Sequence, residues 1–179
     1  FSYWTKPQDC QQVCRFFNED IAKQVRNYPK RFLGIGSLPM TDVNLACEEL
    51  NYLMKDLNLS GVQIGSHIGD LNLDDPIFFP LYEEMEKLGT SLLVHPWDMM
   101  GKETMSRYWL PWLVGMPAEG SRAICSMIFG GIFEKFPKLK VMFAHAGGSF
   151  LGTLGRIDHA YHSRPDLCAV NISRAPSTF

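Results

Sequence analysis

The sequence has no cysteine pair in CxxC spacing, no Gly-x-Ser-x-Gly elbow, no P-loop and no GxGxxG. These absences exclude a thioredoxin-type thiol site, a serine-hydrolase nucleophile turn, a phosphate-cradling loop and a dinucleotide-binding fingerprint. No apolar run approaches the roughly 20 residues that a membrane-spanning helix needs, so no spanning segment is expected. Charge of one sign is also scarce. The formal net charge is -2 and no basic stripe occurs, so nucleic acid is not an expected partner. The five cysteines (Cys10, Cys14, Cys47, Cys125 and Cys168) are odd in number, and four lie in apolar or helical-looking stretches. They are expected to be reduced, partly buried thiols of a reducing, cytoplasmic compartment. No signal peptide precedes Phe1, and the opening Phe1-Ser2-Tyr3-Trp4 reads as the middle of a longer chain.

What is present is an alternation of two periodicities. Gln8 to Asn27 reads as a helix, with Val13, Phe16, Phe17 and Ile21 at helical intervals and Tyr28-Pro29 as its stop. Arg31 to Leu38 reads as a buried strand ended by Pro39. Val43 to Leu57 is helical again, with Asp42 as a plausible N-cap. A strand over Gly61 to Gly65, a helix over Pro76 to Leu88 and a strand over Thr90 to His95 follow. Pro96 to Pro117 reads as a long aromatic-rich loop. A helix over Ser121 to Phe133, a strand over Lys140 to His145 and a final helix from Gly147-Gly148 to about His162 complete the chain.

Strands alternating with helices imply right-handed crossovers and a parallel sheet, hence an α/β fold. Short, continuously apolar strands fit burial on both faces. The pattern allows a doubly wound open sheet or part of a (β/α)8 barrel. A whole barrel typically needs about 250 residues, so a barrel reading makes residues 1–179 the central part of a single domain.

Both architectures place function at the carboxyl ends of the parallel strands. Three of the four expected strand ends carry a histidine within a residue or two: His67, His95 and His145. His95 is followed by Pro96, which ends the strand and lets the imidazole project from its end; neutral imidazole is a common zinc ligand. His145 is followed by Ala146-Gly147-Gly148, which permits close backbone approach, and a histidine there can serve as general acid or base. His67 lies in a Ser-His-Ile-Gly-Asp turn and reads as a solvated residue. Trp109 and Trp112, with Tyr108, crowd five residues of the long loop, as a wall for a flat unsaturated substrate, a subunit contact or an anchor for the loop. Arg156 lies eleven positions after His145 on the last helix, where its fork could hold a carboxylate or simply meet solvent.

The strings Gly-Val-Gln-Ile-Gly from Gly61, His-Pro-Trp-Asp from His95, Tyr-Trp-Leu-Pro-Trp-Leu-Val-Gly-Met-Pro-Ala-Glu from Tyr108, Phe-Glu-Lys-Phe-Pro-Lys-Leu-Lys-Val from Phe133 and Phe-Ala-His from Phe143 resemble the aminocarboxymuconate-semialdehyde decarboxylases of the amidohydrolase superfamily. The resemblance runs from Phe1 to about Cys168. It implies an incomplete (β/α)8 barrel comprising roughly the third to sixth strands with their helices. It also implies zinc as cofactor, with His95 as the metal ligand from the fifth strand and His145 as the catalytic histidine in proton transfer. Trp112 and Arg156 are implied as substrate-binding residues, Arg156 reaching across a homodimer. The implied substrate is small: an unsaturated dicarboxylate semialdehyde from tryptophan breakdown, whose decarboxylation diverts it from quinolinate and NAD synthesis.

The family's His-x-His zinc pair and its eighth-strand aspartate have no counterpart here, so these 179 residues are expected to be inactive by themselves. Two other readings remain: a hydrolase or decarboxylase elsewhere in the superfamily, and a non-catalytic chain that associates with a full-length enzyme.

Overall fold

The computed structural model describes residues 2–179. Seven helices and six strands alternate along them: α1 (Pro7–Asn27), β1 (Ile35–Ser37), α2 (Val43–Lys55), β2 (Gly61–Gly65), β3 (His67–Ile68), β4 (Leu71–Asn72), α3 (Phe79–Leu88), β5 (Ser91–His95), α4 (Met116–Phe129), α5 (Ile132–Lys135), β6 (Lys140–Phe143), α6 (Phe150–Ser163) and α7 (Pro165–Cys168). Strands β1, β2, β5 and β6 form one parallel sheet in that order. The register sets Gly65 beside His95 and Val94 beside Phe143, so the carboxyl ends of the inner strands lie level. The remaining pair, β3 and β4, forms a small antiparallel hairpin just beyond β2. It was not expected: two-residue strands are too short to carry a period.

The sheet is covered by apolar residues that the helices bring to it. Val62, Ile64, Leu92 and Val94 from the strands meet Leu50 and Leu53 of α2, Leu81 and Met85 of α3, and Met127 of α4, all fully or almost fully buried. A second cluster joins Ile124 and Ile128 of α4 to Phe150 of α6 and Ile172 of the final segment. The N-terminus of α2 is closed as expected, Asp42 Oδ1 accepting from the Asn44 and Leu45 backbone N–H groups at 2.9 and 3.1 Å. Replacing Asp42 by alanine is expected to cost about 1 kcal/mol of stability, readable as a lower midpoint in urea unfolding.

Several boundaries and faces differ from the expectation. The first strand is only Ile35–Ser37, because Arg31 to Leu33 are exposed and unpaired with the sheet. The helix expected from Ser121 begins at Met116, since Pro117 sits in its first turn, where a missing N–H costs little. A π-helical turn, Pro111–Gly115, leads directly into it. In α1 most of the apolar residues that mark the period are not those it buries, Ile21 alone packing against the core. Phe16 and Phe17 are exposed, while Cys10, Cys14, Asn18 and Ala22 face inward. The buried Asn18 explains this face. Its amide donates to Ser37 O and Glu49 Oε1, and its oxygen accepts from Ser37 N–H, fastening α1 to β1 and α2. Arg15 closes the same network by a 2.7 Å ion pair to Glu49. All five cysteines are free thiols. No helix among the described residues is long and apolar enough to cross a membrane.

Candidate active site

The site is built at the carboxyl ends of β5 and β6. His95 is the last residue of β5 and half-buried; His145 stands two residues beyond β6 and is exposed. One further ladder bond, Ala144 N–H to Val94 O at 2.9 Å, carries the alignment of the two strands past their ends. The imidazoles converge there, with Nε2 atoms 3.2 Å apart and rings 70° from coplanar. His95 Nδ1 lies 2.8 Å from Pro96 O. A carbonyl can only accept, so this bond places the His95 proton on Nδ1 and leaves its Nε2 lone pair facing the neighbouring ring.

The backbone after β6 takes a shape that few sequences permit. His145, Ala146, Gly147 and Gly148 all have positive φ, at 56°, 53°, 75° and 65°. For the two residues with side chains this left-handed geometry costs roughly 1–2 kcal/mol each. The turn is held from outside by the start of α4. Ser149 N–H donates to Pro117 O at 3.1 Å, Ser121 and Ser149 hydroxyls pair at 2.8 Å, and Gly120 packs against the Gly147 backbone.

A third strand-end histidine, His67, belongs to the interior and not to solvent as expected. It is buried in β3 with its ring stacked on Trp97, and Trp97 Nε1 donates to His67 O at 2.7 Å. Its Nδ1 donates to Gly69 O at 2.8 Å, while its Nε2 faces the buried Glu119 at 3.7 Å. Trp97 also meets Tyr3 edge-on, and Tyr3 Oη accepts from Gly65 N–H at 3.0 Å. Burial drives the Tyr3 phenol far above its ordinary range, so it stays a neutral hydroxyl. Gly65 is required at the crossing: a Cβ there would lie 2.5 Å from the Trp97 ring. Sequence reading passed over Glu119, a charged helix residue whose i,i+3 neighbour Arg122 makes it look like one half of an ordinary helix ion pair.

The two remaining candidates lie on other elements. Trp112 sits in the π-helical turn, partly exposed and stacked on Trp109 with centroids 5.9 Å apart. Arg156 is exposed on α6 and lines a cleft of about 340 Å³ with Arg122, Thr153 and Ser121, at the junction of α4 and α6. His95 and His145 do not line that cleft. Among the described residues no group of three His, Cys, Asp or Glu side chains is placed to hold a metal ion. The pair therefore offers two imidazoles where catalytic zinc takes about three protein ligands.

Residues 2–170 match the amidohydrolase family model. Over 170 residues the chain is 56% identical to 2-amino-3-carboxymuconate-6-semialdehyde decarboxylase of Dictyostelium discoideum, covering 95% of this chain and 47% of that protein. Among solved structures, 5-carboxyvanillate decarboxylase from Sphingomonas paucimobilis superposes with a TM-score of 0.87 at 27% identity, over 98% of this chain and 53% of that one. The corresponding enzyme from Novosphingobium aromaticivorans, solved with bound manganese, superposes with a TM-score of 0.79 at 25% identity, over 88% of this chain and 46% of its own. The chain thus spans about half the length of the curated relatives it matches.

Proposed function

Because the chain belongs to the amidohydrolase family, we propose that it is the central part of a metal-dependent decarboxylase acting on 2-amino-3-carboxymuconate 6-semialdehyde. The observation that carries this reading is the convergence of His95 and His145 at 3.2 Å, in a chain 56% identical to a decarboxylase of that substrate. The proposed protein removes one carboxylate without oxidation, in the tryptophan breakdown route, and so diverts the substrate from quinolinate and NAD synthesis. We assign residues 1–179 to one barrel domain, working in the cytoplasm as a homodimer.

The residues take distinct roles in this reading. His95 Nε2, turned toward His145 while Nδ1 bonds Pro96 O, is one ligand of a zinc ion. Zinc supplies, when bound, Lewis acidity toward water and substrate oxygens. His145, on the open face of the pair, moves the proton needed at the carbon that loses its carboxylate. Trp112 packs against the conjugated substrate. Arg156, on the cleft between α4 and α6, binds a carboxylate in the site of a second copy.

The described residues do not complete a zinc site. The 179-residue chain is expected to bind zinc weakly and to release no carbon dioxide. Equilibrium dialysis giving tight one-to-one zinc would overturn that expectation. The function itself is tested in a chimera in which this segment replaces its counterpart in the Dictyostelium relative. Carbon dioxide release from the semialdehyde, and not from 5-carboxyvanillate, supports the assignment. A folded, metal-loaded chimera that leaves the semialdehyde intact overturns it.

A further inference from the structure

One buried carboxylate ties the exits of β2 and β5 to the same turn of α4 that braces the exit of β6. Glu119, in the first turn of α4, has no solvent exposure. Its Oε1 accepts from Met100 N–H at 3.2 Å. Its Oε2 accepts from Ser66 Oγ at 2.9 Å and lies 3.2 Å from Arg122 Nη2 and 3.7 Å from His67 Nε2. Ser66 Oγ in turn accepts from Trp97 N–H at 3.4 Å, two residues beyond His95. The exits of β2 and β5 are thus fastened to α4 through a single side chain. The same first turn of α4 holds the β6 exit, through Pro117 O and Gly120 against the 147–149 turn.

We infer that Glu119 is a positioning residue that sets His95 against His145. The inference rests on the reading of that pair as the catalytic site. A group with two acceptor oxygens is what this place requires. Two hydrogen-bond donors, Met100 N–H and Ser66 Oγ–H, and the Arg122 guanidinium converge on its two oxygens, and a cationic partner makes such contacts stronger than neutral ones. A carboxamide of the same shape presents a donor where one of those oxygens accepts, leaving a buried hydroxyl, guanidinium or peptide N–H without a partner.

The test is Glu119→Gln in the 15N-labelled chain, followed by amide hydrogen exchange. Exchange at Met100 N–H, Trp97 N–H and the Trp97 indole is expected to accelerate by about tenfold or more. Exchange at Ile64 and Leu93, inside the strands, changes by less than about twofold, and the side-chain resonances of His95 and His145 shift. Unchanged protection at Met100 and Trp97, or loss by the same factor throughout the strands, would overturn the inference. Should Glu119→Gln unfold the chain, Ser66→Ala carries the same expectation at Trp97 alone and the same overturning result. In the chimera, Glu119→Gln is expected to lower kcat about tenfold with KM moving less than about twofold. Altered exchange with an unchanged kcat would reject the positioning role. A parent chimera without turnover refutes the proposed activity, while the exchange experiment still decides whether Glu119 holds the loops.

Discussion

Decarboxylation by the chimera is expected to disappear on His145→Ala, while its metal content stays the same. Proton transfer by a placed side chain contributes typically about 10²–10⁴-fold, and the loss should reach that range. The asymmetry between the two histidines motivates the contrast. His95 is half-buried, closes a strand and has its tautomer set by Pro96 O. His145 is exposed, lies beyond its strand and rides on a left-handed turn. A ligand needs the fixed geometry; a proton carrier needs access to substrate. His95→Ala is therefore expected to lose metal and activity together. Metal analysis of both purified variants decides the matter. Loss of metal from His145→Ala would make His145 a ligand and leave the proton carrier to be found elsewhere.

The second large effect is expected at Gly148, and it falls on stability before activity. Its backbone, φ 65° and ψ -126°, lies in a region that residues with a Cβ scarcely enter. A Cβ would also stand 2.3 Å from Pro117 O, a backbone atom of α4 that cannot swing aside. The conformational cost is roughly 1–3 kcal/mol and forced overpacking adds a similar amount, so Gly148→Ala should cost about 3 kcal/mol or more. For a chain of this size that lowers Tm by roughly 6–12 °C. Calorimetry of the 179-residue chain reads this directly. A Tm within about a degree of the parent would show that the turn and α4 move apart freely, and would undercut the rigid spacing argued for the histidines.

The sequence made the parallel α/β order legible because each inner strand is a short apolar run bounded by turn residues. The rule that chemistry gathers at strand carboxyl ends then singled out His95 and His145, and the structure brings those two side chains together. The same rule misjudged His67. A strand end can be roofed over, and only tertiary packing of Trp97 and Glu119 reveals that this one is. The inward face of α1 was hidden for a related reason. Its buried stripe carries Asn18, whose partners Ser37 and Glu49 lie far along the chain, so the polar residue gave no local sign of burial. Glu119 was hidden on the same grounds: helical spacing encodes its pair with Arg122, but not its contacts with Ser66 and Met100 that bury it. Arg156 shows the opposite limit. Its position was easily named, yet among the described residues it lines a cleft that His95 and His145 do not share.

The strand order β1-β2-β5-β6 runs in the direction of synthesis, each parallel strand joining the one made before it. No strand has to be inserted between two already paired. A nascent chain can therefore grow this sheet by accretion, each helix docking as it leaves the ribosome. The long-range clasp from Tyr3 to Gly65 needs only the chain up to β2 and neither histidine of the pair. Loop-closure entropy is met in small instalments, which favours quick, unentangled maturation over a late search for distant partners.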